Sequence, residues 1–114
     1  MATGIIKSSY KTGRLLANAT YVTTNKLDVK QEGRTVIING YVDVTANAGF
    51  TAGTLDGVSV PNNQSPRFIV AVSNQAYNPP QYTGYGSIGI NGELYLNLPT
   101  TGAKSVYFSV SYMI

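Results

Sequence analysis

The chain has 114 residues, contains no cysteine and no histidine, and carries a formal net charge of +3. This length fits one domain, and the lack of cysteine excludes disulfides and thiolate metal sites. The lack of histidine removes the commonest general base and metal ligand, so the usual Ser–His and Cys–His nucleophile pairs cannot form.

The positive charge is concentrated in the first third of the chain. Residues 1–34 carry six basic and two acidic side chains (6 − 2 = +4), whereas residues 35–114 carry two and three (2 − 3 = −1). Nucleic-acid-binding proteins usually mix basic and aromatic residues on one face, so we expect no nucleic-acid partner. No apolar run reaches the roughly 18 residues of a membrane span, and the first residues lack the apolar core of a signal peptide. We therefore expect no membrane insertion and folding in a cytosol.

The sequence favours strands over helices along its whole length. Weak strand signals come first, in "TYVTT" and "KLDVKQE". The segment "RTVIINGYVDVT" then alternates with period two and places Val36, Ile38, Val42 and Val44 on one face. Gly40 in the middle of this strand predicts a bulge or the close approach of another backbone.

Three further strand patterns follow toward the end of the chain. "RFIVAVSN" is apolar on both faces and predicts a central strand. "GSIGINGELYLNLP" predicts a hairpin, with Asn91–Gly92 as a two-residue type I′ turn. "SVYFSVSYMI" alternates again, and one face carries Val106, Phe108, Val110, Tyr112 and Ile114.

These patterns predict an all-β protein, a compact antiparallel β-sandwich or jelly-roll-like barrel of about seven to nine strands. The regular strands assign residues 33–114 to a β-sandwich head domain. Residues 1–32 are more polar and less regular, so we assign them to an N-terminal extension or docking segment.

The sequence contains no recognisable catalytic motif. The only carboxylates are Asp28, Asp43, Asp56, Glu32 and Glu93. A glycosidase needs two carboxylates across the scissile bond, and exposed Asp and Glu are usually just solvated. We therefore predict a protein that is not an enzyme, with no catalytic residues, no cofactor and no metal site. A depolymerase activity and a metal site made of carboxylate and carbonyl oxygens stay open as alternatives.

The segment "NQAYNPPQYTGYG", residues 74–86, is the best candidate for a binding surface. It is uncharged and holds three of the nine tyrosines. Sugars offer apolar C–H faces to aromatic rings and hydroxyls to amide and phenol groups, and tyrosine supplies contact area at low entropic cost. The candidate glycan-binding residues are Asn74, Tyr77, Asn78, Gln81, Tyr82 and Tyr85. Two alternatives stay open, namely rings buried in the core and rings in a subunit interface.

The order of features also resembles a known family. "GRTVIINGYVDVT" precedes "TLDGVSVPNNQSPRF", and the hairpin "YGSIGINGELYLNL" and the last strand "KSVYFSVSYMI" follow. The residues that carry the pattern are Leu55, Pro66, Arg67, Ile90, Gly92, Leu94 and Tyr112. From about Gly33 to Ile114 the chain resembles the compact all-β head domains of phage tail fibres, baseplate receptor-binding proteins and phage head fibres. Its spacer between Leu55 and Pro66 is longer than the family's tight version.

The resemblance implies a homotrimer that binds a host cell-surface polysaccharide. It implies a location on the virion, at the tail, baseplate or head surface, after synthesis in the host cytoplasm. Residues 1–32 would then contact other virion proteins. The alternative is a structural virion component without glycan binding, such as a capsid decoration, head-fibre or baseplate protein, since the basic first third could dock on an acidic partner.

Overall fold

The computed structural model describes residues 10–45, 48–62, 64–73, 82–99 and 104–114. These residues form eight strands and no helix, and so include no helix long and apolar enough to cross a membrane. The strands are β1 (Tyr10–Ala17), β2 (Val22–Glu32), β3 (Thr35–Val44), β4 (Ala48–Asp56), β5 (Arg67–Ser73), β6 (Tyr82–Ile88), β7 (Glu93–Leu98) and β8 (Lys104–Met113). The predicted all-β class and strand number are confirmed.

The strands close into one antiparallel barrel in the order β1-β2-β3-β8-β5-β6-β7-β4. Because every neighbouring pair is antiparallel, strand directions alternate and the connections fall at two ends. The lower end holds the start of β1, the β2–β3 turn, the β4–β5 connection and the β6–β7 turn. The upper end holds the β1–β2 connection and the last residues of β3, β5 and β7.

β1 changes partners along its length, and β5 is paired on both sides over only part of its length. β1 pairs with β2 over residues 10–13 and with β4 over residues 14–17. β5 pairs with β6 along residues 67–72, but with β8 only over residues 71–73. Strands that switch sheets in this way give a barrel the character of a sandwich, as the sequence predicted.

The strongest alternating segments fill the barrel interior. Val36, Ile38, Val42 and Val44 of β3 are all buried, as predicted. On β8 the predicted inner face is also confirmed, since Val106, Phe108 and Tyr112 belong to the core and Val110 and Ile114 pack against it. The interior between these strands is therefore a packed apolar core.

Gly40 interrupts β3 where another backbone comes close. Its φ is +133°, and the carbonyl oxygen of Lys26 occupies the place that a side-chain Cβ would need. Both features require glycine, because a side chain would meet backbone and not a movable side-chain tip. The predicted close approach is confirmed.

The β6–β7 hairpin is confirmed, but its turn differs from the predicted one. The Gly92 N–H donates to the Gly89 carbonyl at 2.8 Å, and the Gly89 N–H donates to the Glu93 carbonyl at 2.9 Å. Gly92 has a φ of +87°, whereas Asn91 keeps a negative φ. This is a three-residue loop of a type I turn followed by a left-handed glycine. The Asn91 side chain stabilises it, because its Oδ1 accepts from the Glu93 N–H at 3.2 Å.

The first third of the chain is built into the barrel over its described residues. β2 pairs with β3 along its whole length, on both sides of the expected boundary between residues 32 and 33. Leu15, Val22 and Val29 contribute buried side chains to the common core. Over residues 10–32 the structure thus shows two barrel strands where the sequence suggested an extension.

Candidate functional site

The structure places two of the six predicted site residues at the beginning of β6, at the upper end of the barrel. These are Tyr82 and Tyr85. The other four lie outside the described residues, namely Asn74, Tyr77, Asn78 and Gln81.

Tyr82 and Tyr85 lie on opposite faces of β6. The inner face of this strand carries the buried Gly84, Gly86 and Ile88. Tyr82 belongs to the same face by alternation, but it lies at the upper end of the strand and 40% of its surface is exposed. Tyr85 belongs to the outer face and is 57% exposed. The two rings therefore do not form one surface, and a ring buried in the barrel core is excluded for Tyr85.

Tyr85 lies between two side chains that neighbouring strands supply. Its direct cross-strand partners are Ile69 on β5 and Asn97 on β7. Ile69 is 71% exposed, which is unusual for a residue of this size and polarity. A shallow groove of about 270 Å³ runs beside the ring and is lined by Ile69, Thr83, Gly84, Tyr85, Asn97 and Pro99. We call these six residues the Tyr85 surface.

A second aromatic ring lies on the same outer face. Tyr95 precedes Asn97 by two residues on β7 and is partly exposed. Since Tyr85 is opposite Asn97, Tyr95 is its diagonal neighbour, a relationship that separates residues by about 7–8 Å. The Tyr95 hydroxyl occupies the place that a Cβ on Gly49 would take, so the glycine lets this ring lie across β4.

The outer face around the two rings is nearly free of charge. Among the described outward-facing residues of β5, β6 and β7, only Arg67 and Glu93 are charged, and both lie at the lower ends of their strands. Glu93 also accepts a 2.8 Å hydrogen bond from the Asn91 side-chain amide. The polar side chains that line the Tyr85 groove, those of Thr83 and Asn97, are neutral. Arg67 is a diagonal neighbour of Tyr85, two residues before its partner Ile69 on β5. The neutral amide and hydroxyl of the groove can pair with the hydroxyls of a ligand.

Two of the carboxylates have structural partners and do not line the Tyr85 groove. Asp43 accepts a 2.6 Å hydrogen bond from the Ser105 hydroxyl, and Asp56 forms an exposed 3.1 Å ion pair with Arg14. No group of three potential metal-ligating side chains occurs in the part of the chain that the structure describes. Each of these two carboxylates thus has a structural partner, and neither faces the Tyr85 groove.

A second groove formed by described residues has different chemistry. It lies at the lower end, has a volume of about 510 Å³, and is lined by Arg34, Pro61, Asn62, Gln64, Pro66, Tyr112, Met113 and Ile114. Its one aromatic residue, Tyr112, is buried, and the hydroxyl is bound to the Ser59 carbonyl at 2.6 Å. This groove offers no open aromatic face. We therefore assign the candidate site to the Tyr85 surface, because it has an exposed aromatic ring, although its groove is smaller in volume than the lower one.

Sequence reasoning missed Ile69, Tyr95 and Asn97. The apolar residues on both faces of "RFIVAVSN" were a signal for Ile69, and the alternation of β7 places Tyr95 and Asn97 on one face. Their adjacency to Tyr85 depends on strand register, which the local pattern does not contain.

No family model matches the chain, and a search of curated proteins finds no significant match. The likeness to phage head domains therefore rests on the sequence features quoted above.

Proposed function

We propose that this barrel is a non-catalytic binding module that holds a cell-surface saccharide against the Tyr85 surface. The observation that carries the proposal is the Tyr85 ring, exposed between Ile69 and Asn97 beside a groove whose lining residues are uncharged. An open ring face and an aliphatic neighbour can pack against the C–H face of a sugar, and the amide can pair with its hydroxyls. Apolar contact with a few placed polar groups is the usual composition of a small-ligand site.

The resemblance to phage head domains supports a virion role for such a module. In that setting the protein attaches a phage to host polysaccharide from the tail, baseplate or head surface. The homotrimer that the resemblance implies would multiply weak single-site binding through avidity. Contact with other virion proteins would use the outer face of β2, where the charges of Lys26, Asp28, Lys30 and Glu32 alternate in sign and all but the half-buried Lys30 are exposed.

The decisive experiment measures binding to a glycan array and to purified host cell-wall polysaccharide. Tyr85→Ala and Asn97→Ala should each weaken binding about tenfold, the change that a loss of about 1.4 kcal/mol produces. Tyr10→Ala is the matched control, because Tyr10 is equally exposed but lies on β1. Circular dichroism verifies that each variant keeps the barrel.

Two results would contradict the proposal. If Tyr85→Ala binds as well as the unchanged chain, the saccharide site lies elsewhere, and Arg34→Ala then tests the lower groove. If the unchanged chain binds no polysaccharide of its host, the structural virion role replaces adhesion.

A further inference from the structure

β5 and β8 separate below their short ladder. That ladder joins Ala71–Ser73 to Ser105–Tyr107 and ends there. β8 nevertheless continues to Met113, paired with β3 at every residue. Among the described strands, the lower half of β8 therefore has a neighbour on one side only. We call its free edge over residues 109–113 the β8 seam.

The backbone groups at the seam can be assigned from the pairing with β3. The Ile114 N–H donates to the Arg34 carbonyl at 2.8 Å, so the even-numbered residues of β8 direct their backbone groups toward β3. Because antiparallel strands alternate, Ser109, Ser111 and Met113 direct their N–H and C=O groups toward the seam. The described residues provide no ladder partner for these groups.

The core beneath the seam is closed by side chains. The rings of Phe68 and Phe108 lie 5.0 Å apart between centroids. Toward the lower end the two sides diverge further, since the 510 Å³ groove has Pro66 on the β5 side and Met113 on the β8 side. The two rings thus pack together in the core there, while Ser109, Ser111 and Met113 on the edge of β8 are exposed.

The β8 seam lacks the features that usually protect a free edge. Its sequence, SVSYM, has no charge and no proline, and no bulge interrupts the pairing of β8 with β3. Charges, prolines and bulges are the common ways to block pairing with another chain. Met113 adds an apolar rim, because its side chain is 72% exposed.

A second free edge in the same barrel is protected. β2 has no ladder with β1 over residues 22–28, but a bulge lies between Val22 and Thr24. The Asn25 side-chain amide bridges the gap to the Leu15 carbonyl at 2.9 Å. The charged Lys26 projects from the same stretch. The contrast shows that the open β8 edge is not a general property of the fold's corners.

We propose that the β8 seam is covered by a second copy of this chain, which pairs residues 109–113 with the same residues antiparallel. Ser111 then faces Ser111 of the second copy at the twofold axis, and Ser109 faces Met113 of the second copy. The segment is self-complementary. In this register, each odd-numbered residue, whose N–H and C=O groups point toward the seam, lies opposite an odd-numbered residue of the second copy. The uncharged edge also lets two copies of a chain of net charge +3 meet without opposed like charges.

The proposal is independent of the saccharide site. β5 lies between the seam and the Tyr85 surface in the strand order. Self-pairing closes a dimer, whereas the resemblance to phage head domains implies a trimer. The mass in solution therefore separates the two assemblies, while saccharide binding is measured separately.

The first test is sedimentation and light scattering from micromolar to millimolar concentration. We expect twice the chain mass of 12.2 kDa, and a return to the monomer in the double variant Ser109→Lys, Ser111→Lys. Both serines are exposed, so the barrel should stay folded. The control is Thr12→Lys with Thr54→Lys, which adds the same charge at exposed positions away from the seam and should leave the dimer intact.

The second test uses the absence of cysteine from the chain. A Ser111→Cys variant should form a covalent dimer on mild oxidation, because directly opposed residues of an antiparallel pair lie about 5.5 Å apart, within the range of a disulfide. Thr12→Cys serves as the control. A monomer at every concentration, an assembly whose mass the double lysine variant does not change, or equal cross-linking of the two cysteine variants would overturn the proposal.

Discussion

The hydroxyl of Tyr112 donates a 2.6 Å hydrogen bond to the carbonyl oxygen of Ser59, which joins β8 to the β4–β5 connection. The Ser59 N–H in turn donates to the Gln31 side chain at 2.8 Å, and Gln31 donates to the Gly33 carbonyl at 2.9 Å. Tyr112 and Gln31 are both buried. This chain of bonds satisfies their polar groups and holds the connection across the lower end of the barrel.

Tyr112→Phe should destabilise the protein without changing its fold. The substitution keeps the ring but leaves the Ser59 carbonyl without its partner, at a cost of about 1–2 kcal/mol. Urea denaturation measures the free energy of unfolding. Tyr10→Phe is the control, because the Tyr10 side chain is exposed. Equal stabilities of the two variants would show that the bond contributes nothing.

The same residue predicts a loss of stability at high pH. Burial raises the pKa of Tyr112 to about 12, whereas an unfolded tyrosine titrates near pH ~10. The folded chain holds the hydroxyl proton more tightly than the unfolded chain does. The stabilisation of the folded state by this hydroxyl is therefore complete below pH ~10 and is lost as the pH rises toward about 12. Across this pH range, the free energy of unfolding should fall less steeply with rising pH in the Tyr112→Phe variant than in the unchanged chain. Parallel pH profiles would contradict the prediction.

Gly40→Ala should be among the most damaging single changes in the chain. The new Cβ would collide with the Lys26 carbonyl, and the φ of +133° is unfavourable for alanine. We expect a cost of about 3 kcal/mol or more, since strain and overpacking add. Gly33→Ala is the matched control, because its φ is also positive but open space surrounds it. That change should cost about 1 kcal/mol, and thermal unfolding compares the two.

The fold was predictable where the alternation of a strand is unbroken. β3 and β8 each keep period two from end to end, so their buried faces could be read from the local sequence. β2 could not be read in this way. Val22 and Val29 are both buried although an odd number of positions separates them, because the bulge between Val22 and Thr24 shifts the alternation. The polar residues between them then look like an irregular extension.

The candidate site was less predictable, because it depends on contacts between strands. Tyr82 and Tyr85 are three residues apart, so a regular strand must place them on opposite faces. That conclusion needs the start of β6, which lies inside the tyrosine-rich segment. The position of Ile69 and Asn97 beside Tyr85 comes from the register of three strands, which is set by the whole barrel.

The last prediction concerns the aromatic pair beneath the β8 seam. A Cβ on Gly86 would lie 2.7 Å from two ring atoms of Phe68, and this ring packs against Phe108. Gly86→Ala should therefore displace Phe68 and cost about 1–3 kcal/mol. Phe68→Leu frees space, so the double variant should be more stable than the sum of the single changes predicts, with a coupling of about 1 kcal/mol. A double-mutant cycle in urea measures this coupling. Strict additivity would mean that Phe68 does not limit the residue at position 86.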